Sequence, residues 1–288
     1  MTSQNTLRKT LEQLDGCSYA AYKGIKGTYR FPNFDLTLAH VQGDPFAAPS
    51  RVKVWMCHSA AKWPQHYWNN PTRRVVLADF LHRQLTGTLP EIQQRRGSGK
   101  SGRLELAAPS QAVLARTAVQ VTPGGIELRL GVGLPAFGRR IAGQAAGELL
   151  TQDLPRLVTM ALHHQLEHQL ALGQHLAVVE DAEALRQLLP EHDLVAFIAN
   201  GSILPRRSGV DPRPLSTALP CRAPSALEVT LHTPHGGAIT GLGIPRGVTL
   251  IVGGGYHGKS TVLKAIAQGV YNHIPGDGRE RVVADGAT

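Results

Sequence analysis

This 288-residue chain has little cysteine: Cys17, Cys57 and Cys221 are far apart, odd in number and free of C-x-x-C spacing. That excludes a disulfide framework and a zinc ribbon, and the thiols are expected to be reduced. No run of 18 apolar residues occurs, and Met1 to Thr10 is polar. Neither a membrane span nor a secretory signal is therefore expected, and the expected location is cytoplasmic. No internal repeat is visible. Acidic residues are scarce in the first half alone: residues 1–150 carry 19 Lys/Arg against 9 Asp/Glu, and residues 151–288 carry 11 against 12. The formal net charge of +9 belongs to the N-terminal half.

That half has its densest cations at Arg73, Arg74, Arg83, Arg95, Arg96, Lys100 and Arg103, with Trp55, Trp63, Tyr67 and Trp68 near them in sequence. Cations interleaved with aromatics suit a nucleic-acid backbone and its unstacked bases. A solvated basic face over core aromatics is the alternative. Arg73, Arg74, Arg95, Arg96, Lys100 and Arg103 are the candidate nucleic-acid-binding residues.

The most specific feature lies in the other half. Gly253-Gly254-Gly255-Tyr256-His257-Gly258-Lys259-Ser260-Thr261 contains G-x-x-x-x-G-K-[ST], a phosphate-binding loop. Backbone N–H groups can close around phosphates only where few Cβ atoms intrude, hence the glycines. Lys259 is expected to reach the β- and γ-phosphates, and Ser260 to hold Mg²⁺. Val248-Thr249-Leu250-Ile251-Val252 reads as a buried strand before the loop, and Thr261 to Ala267 as an amphipathic helix after it. The expected ligands are ATP and Mg²⁺. Gly97-Ser98-Gly99-Lys100-Ser101-Gly102 looks similar but has Gln94 five residues before Gly99. It reads as a mobile basic loop.

Leu7, Leu11 and Leu14 mark a leading helix; Tyr29 to Val41 and Arg51 to Cys57 read as extended; Arg73 to Leu85 has helical spacing. Ala112 to Val121 and Ile126 to Leu130, joined by Thr122-Pro123-Gly124-Gly125, read as a hairpin. Residues 143–189 predict two or three helices, Leu194 to Ala199 a strand, Ser202 to Pro224 a surface connector, Leu227 to Leu231 a strand and Gly236 to Gly247 turns. The fold class is thus an N-terminal α+β domain, residues 1–160, followed by an α/β nucleotide-binding segment, residues 161–288.

Gln42-Gly43-Asp44-Pro45-Phe46-Ala47, Gly133 to Arg139, Gly201-Ser202-Ile203-Leu204-Pro205-Arg206, Gly243 to Thr261 and His273-Ile274-Pro275-Gly276-Asp277-Gly278-Arg279-Glu280 occur in that order. With these segments the chain resembles the predicted ATPases of the ABC class, a non-transporter family. The resemblance implies a family-specific N-terminal domain, an ABC-type ATPase domain with the phosphate loop, a link to RNA, and a dimer in the full-length protein. Members look about twice as long, so this chain is expected to be an N-terminal portion with an incomplete ATPase domain.

An ABC-type ATPase also needs a Walker B strand ending in acids and a signature motif. Leu194 to Ile198 is apolar enough for the strand but is followed by Ala199 and Asn200. No catalytic residue is therefore assigned, and the chain alone is expected to be inactive. His273 to Glu280 reads as a tight turn, or as a charged segment that orders the loop's helix or touches nucleotide. Tyr256 and His257 either stack near the phosphates or face solvent. Two other functions remain open: a nucleic-acid-binding adaptor with a non-hydrolysing loop, and a zinc metalloprotease with His164 and His168 on one helix face around Glu167.

Overall fold

The computed structural model describes residues 2–94 and 96–286, and Arg95 lies outside them. The chain packs as two units: residues 1–109 with 115–166, and residues 110–114 with 167–288.

The first unit holds β1 (Thr2–Ser3), α1 (Gln4–Gln13), β2 (Gly27–Arg30), β3 (Asp35–His40), β4 (Ser50–Cys57), α2 (His58–Ala61), α3 (Pro71–Ile92) and β5 (Leu104–Glu105). After β6 (Ala112–Val113), which belongs to the second unit, come β7 (Val119–Thr122), β8 (Gly125–Val132), β9 (Ala136–Phe137), β10 (Arg140–Ile141), α4 (Gly143–Glu148) and α5 (Leu154–Leu162). Seven strands form one sheet in the order β1-β2-β3-β4-β8-β5, with β7 also on β8. Period-two alternation buries Val52, Val54 and Met56 of β4 and Ile126, Leu128 and Leu130 of β8 on one face. Asn70 caps α3 by accepting from Arg73 N, and Pro71 starts the helix. Val76, Leu77, Phe80, Leu81 and Leu85 of α3 are buried. The Thr122–Gly125 turn joins β7 to β8 as a hairpin. Ala112 and Val113 do not extend it; they pair with His273 and Asn272. Residues 143–162 run as helix throughout, with a π-type stretch at Leu149–Asp153.

The second unit holds α6 (His168–Leu188), β11 (Leu194–Ala199), β12 (Glu228–Thr233), β13 (Gly237–Pro245), α7 (Lys259–Gln268), β14 (Asn272–His273) and β15 (Val282–Ala284). Its antiparallel sheet runs β12-β13-β11-β15. One face buries Leu185, Leu194, Phe197 and Leu231. The other buries Ala196, Ile198, Val282 and Ala284 under Ala265 and Ile266 of α7.

The second unit corrects two expectations. Residues 237–245 form a nine-residue strand rather than turns. Gly241 serves close packing there, since a Cβ would sit 2.3 Å from the Ile198 carbonyl oxygen. Val248 to Val252 forms no strand: Val248, Leu250 and Val252 are exposed, and none of the described strands pairs with them. An apolar run becomes a strand only where a neighbour takes up its N–H and C=O groups.

Candidate nucleotide site

The loop residues Gly253 to Gly258 lead directly into α7, which opens at Lys259. Tyr256 (φ 61°) and Gly258 (φ 82°) adopt left-handed conformations, and these reverse the chain onto the helix start. The Lys259 ammonium folds back to donate to the carbonyls of Gly253 (2.6 Å) and Gly254 (2.5 Å). Gly254 N–H donates to His257 Nδ1 at 3.2 Å. Gly258 gives no side-chain cap, and its carbonyl accepts from Thr261 N–H and Val262 N–H. The N–H groups of Lys259 and Ser260 therefore lie at a helix N-terminus without a described protein acceptor. The donor set fits a phosphate chain: a cation, a helix N-terminus and the exposed Ser260 hydroxyl. Tyr256 is fully exposed, while His257 bonds within the loop.

Charged groups buttress the helix carrying this loop. Ala265 and Ile266 anchor α7 to the sheet, and His273 Nε2 lies 3.2 Å from the Gln268 carbonyl at the helix's last residue. His273 Nδ1 faces Asp277 Oδ2 at 3.3 Å. Asp277 is fully buried and accepts from Arg279 (2.8 Å) and Arg206 (3.0 Å). Arg206 also donates to the carbonyls of Leu204, Pro212, Ile203 and Asp277. The segments 201–206 and 273–280 thus form one buried ionic knot that holds the turn after α7 and the connector before β12.

Burial depresses the His273 pKa to about 4; Asp277 pulls it up, and Arg279 and Arg206 push it down. The unfolded chain, with a histidine pKa near 6.5, takes up the proton first as pH falls. Stability of the second unit is therefore expected to be full above about pH 6.5 and to decline toward pH 4. Urea unfolding of the wild type and His273→Gln at pH 7 and pH 5 checks this. Equal pH dependence in the two proteins would refute the assignment to His273.

Among the described residues, Arg73 and Arg74 lie at the start of the 22-residue helix α3, and Arg96, Lys100 and Arg103 follow its end. Arg73 and Arg74, in the first turn of α3, donate to the carbonyls of His66 (2.7 Å) and Trp68 (3.3 Å). Arg96 is tied to Glu148 and to Asp153 (2.7 Å) and is thereby removed from solution. Lys100 is half-buried and Arg103 exposed. The neighbouring aromatics are structural. Trp63 is buried and donates to the Leu162 carbonyl, Tyr67 packs edge-on against it, and Trp68 stacks on His58 at 3.8 Å. Trp55 lies against Gly124 at the hairpin. The exposed aromatics of this unit are Phe46 and Phe137, both inside segments that carried the resemblance and neither singled out from the sequence.

Residues 97–102 are pinned rather than mobile. Ser98 N–H donates to the Ala136 carbonyl (2.8 Å), Lys100 N–H to Pro45 (3.1 Å) and Gly102 N–H to Gly133 (2.8 Å). The Ser101 hydroxyl is buried and accepts from Ala136 N–H. A Cβ at Gly97 (φ 126°) would sit 2.1 Å from the Ala136 carbonyl oxygen, so the sequence must be glycine there.

The zinc-protease geometry is absent. Helix α5 ends at Leu162 and α6 begins at His168, so residues 163–167 are non-helical and His164 and His168 share no helix face. His164 N–H donates to the Ala61 carbonyl and its ring packs edge-on to Trp63. Among the described residues no group of three His, Cys, Asp or Glu can hold a metal ion. Leu194–Ala199 is a strand, but antiparallel to both neighbours and without a carboxylate at its end.

The phosphate-loop sequence opening directly into helix α7 points to the P-loop class of protein. Residues 168–288 match a model of a P-loop domain of the ABC ATPase type, and residues 4–165 match the N-terminal model of the ATPases of the ABC class. The chain belongs to that family. It is also 36% identical, over 108 residues, to a protein of Methanocaldococcus jannaschii named uncharacterized protein MJ1628; the match covers 34% of this chain and 24% of that relative's length. Among the described residues no helix is long and apolar enough to cross a membrane.

Proposed function

We propose that the chain binds ATP with Mg²⁺ at Gly253 to Thr261, and that its basic first unit engages nucleic acid, RNA foremost, under control of the nucleotide. The observation that carries the nucleotide reading is the Lys259 ammonium, drawn into the Gly-rich loop at an uncapped helix N-terminus. Phosphate oxygens are better acceptors for it than the two neutral carbonyls it now holds. Ser260, next to the lysine in sequence and exposed, is the residue that would hold Mg²⁺. Lys259 and the helix start bind and orient the phosphates; the bound nucleotide supplies the phosphoryl chemistry.

Calorimetric titration with Mg·ATP tests the reading directly, and absence of saturable binding would end it. The 288-residue chain is expected to release no phosphate in steady state, because the apolar strand Leu194–Ala199 is followed by Asn200 rather than an acid. Turnover that disappears with Lys259 would show a catalytic acid elsewhere in the chain.

The nucleic-acid reading rests on the 19 to 9 excess of cations in residues 1–150. Affinity for RNA is expected to fall steeply with salt, by a log–log slope of about 0.7 for each single-stranded phosphate neutralised. Neutralising Lys100 and Arg103 together is expected to flatten that slope by about one unit with little change in thermal stability. An unaltered slope for both RNA and DNA would remove these two positions from the surface.

A further inference from the structure

Three loops of the first unit meet in one frame. Residues 97–102 bond through their backbone to Pro45 on one side and to Gly133 and Ala136 on the other, and the Ser98 hydroxyl accepts from Gly138 N–H at 3.0 Å. The frame is fixed by main-chain bonds, yet it presents two large aromatic side chains to solvent: Phe46 is 63% and Phe137 70% exposed. Phe46 lies over Gly99, where a Cβ would come within 3.0 Å of its ring. Apolar rings held out of the core on a rigid support mark a binding surface.

The frame's charged residues point to the partner. It carries the cations Lys100, Arg139 and Arg140 against one acid, Asp44; Arg139 is paired with Asp44 at 3.1 Å but is 81% exposed, and Arg140 donates to the Gly16 carbonyl at 3.0 Å. Beside Phe137 opens a cavity of about 520 Å³, walled also by Arg140, Gln144, Asp15 and Glu148. Of its two carboxylates, Glu148 is paired with Arg96, and Asp15 accepts from Gly143 N–H. The lining thus combines an aromatic ring, a guanidinium, an amide and hydrogen-bond acceptors. A flat, hydrogen-bonding, anionic polymer whose bases are unstacked has this complementarity, whereas a duplex keeps its bases stacked and offers only phosphates.

We infer that the 42–47, 97–102 and 133–140 loops form a single-strand nucleic-acid platform in which Phe46 and Phe137 stack on bases and Lys100, Arg139 and Arg140 hold phosphates. This rests on the nucleic-acid reading above and gives it a location that excludes Arg96. The preorganised frame means that the strand, not the protein, orders on binding.

The test uses the 288-residue chain with fluorescein-labelled 20-mer oligouridylate, oligothymidylate and a 20-base-pair duplex. The Phe46→Ala/Phe137→Ala variant is expected to lose about tenfold or more in affinity for both single strands, with the salt slope unchanged. Phe46→Trp/Phe137→Trp is expected to retain binding, which separates stacking from misfolding. Arg139→Ala/Arg140→Ala is expected to reduce the slope instead. Wild-type single-strand affinity in the alanine variant, or tighter binding of the duplex than of either single strand, overturns the platform while leaving nucleic-acid binding intact. Failure of the wild type to bind any of the three probes overturns both.

Discussion

Lys259→Ala is expected to weaken Mg·ATP binding by on the order of 100-fold, with the fold intact. Lys259 hydrogen-bonds through its ammonium to two loop carbonyls and is not part of the described hydrophobic core. Removing it therefore costs the folded protein little. In the complex, however, the phosphates would lose the cation that offsets their charge at a site otherwise made of backbone dipoles. Lys264→Ala is the control, because Lys264 lies exposed on the same helix beyond the loop. Calorimetry should register a large loss for the first variant and a small one for the second. Equal affinity in wild type and Lys259→Ala would remove the central claim about this loop.

The largest stability effect is expected at Asp277. Its carboxylate has no solvent exposure and faces Arg206, Arg279 and His273. Asp277→Ala leaves two guanidinium groups in a poorly hydrated site without their buried counter-charge, a change that costs roughly 3–5 kcal/mol. The damage should be local to the second unit, since every partner belongs to it. Hydrogen exchange measured on peptides spanning 194–206 and 270–284 should accelerate sharply, while peptides of α3 and β8 should not change. Replacing all three charges together, Asp277→Leu with Arg206→Met and Arg279→Met, should recover part of the loss, because the penalty lies in the unpaired charge. Unchanged protection in Asp277→Ala would mean that the ionic knot adds nothing to the fold.

These two sites differ in how far they could be read in advance. The phosphate loop is contiguous, and its chemistry is written in residue types at fixed spacing, so Gly253 to Thr261 and helix α7 are legible without coordinates. The same holds for elements whose signal is local: Leu7 and Leu11 on α1, the apolar stripe of α3, the Thr122–Gly125 hairpin, and the strand Leu194–Ala199. Period and turn chemistry determine these, and neighbours a few residues away enforce both.

What the tertiary structure decided depends on partners far along the chain. Val248–Val252 has a strand's composition but no described partner, and Gly237–Pro245 has a turn's composition but is framed by β11 and β12. Residues 97–102 look mobile until Pro45, Gly133 and Ala136 take up their N–H groups. Arg96 looks like a surface cation until Glu148 and Asp153 claim it, and the exposure of Phe46 and Phe137 shows only in the folded chain. Sequence by itself determined the family, the local elements and the phosphate loop. The packing decided which cations are free, which aromatics are exposed and which loops are held, because burial and hydrogen-bond satisfaction are properties of the whole fold.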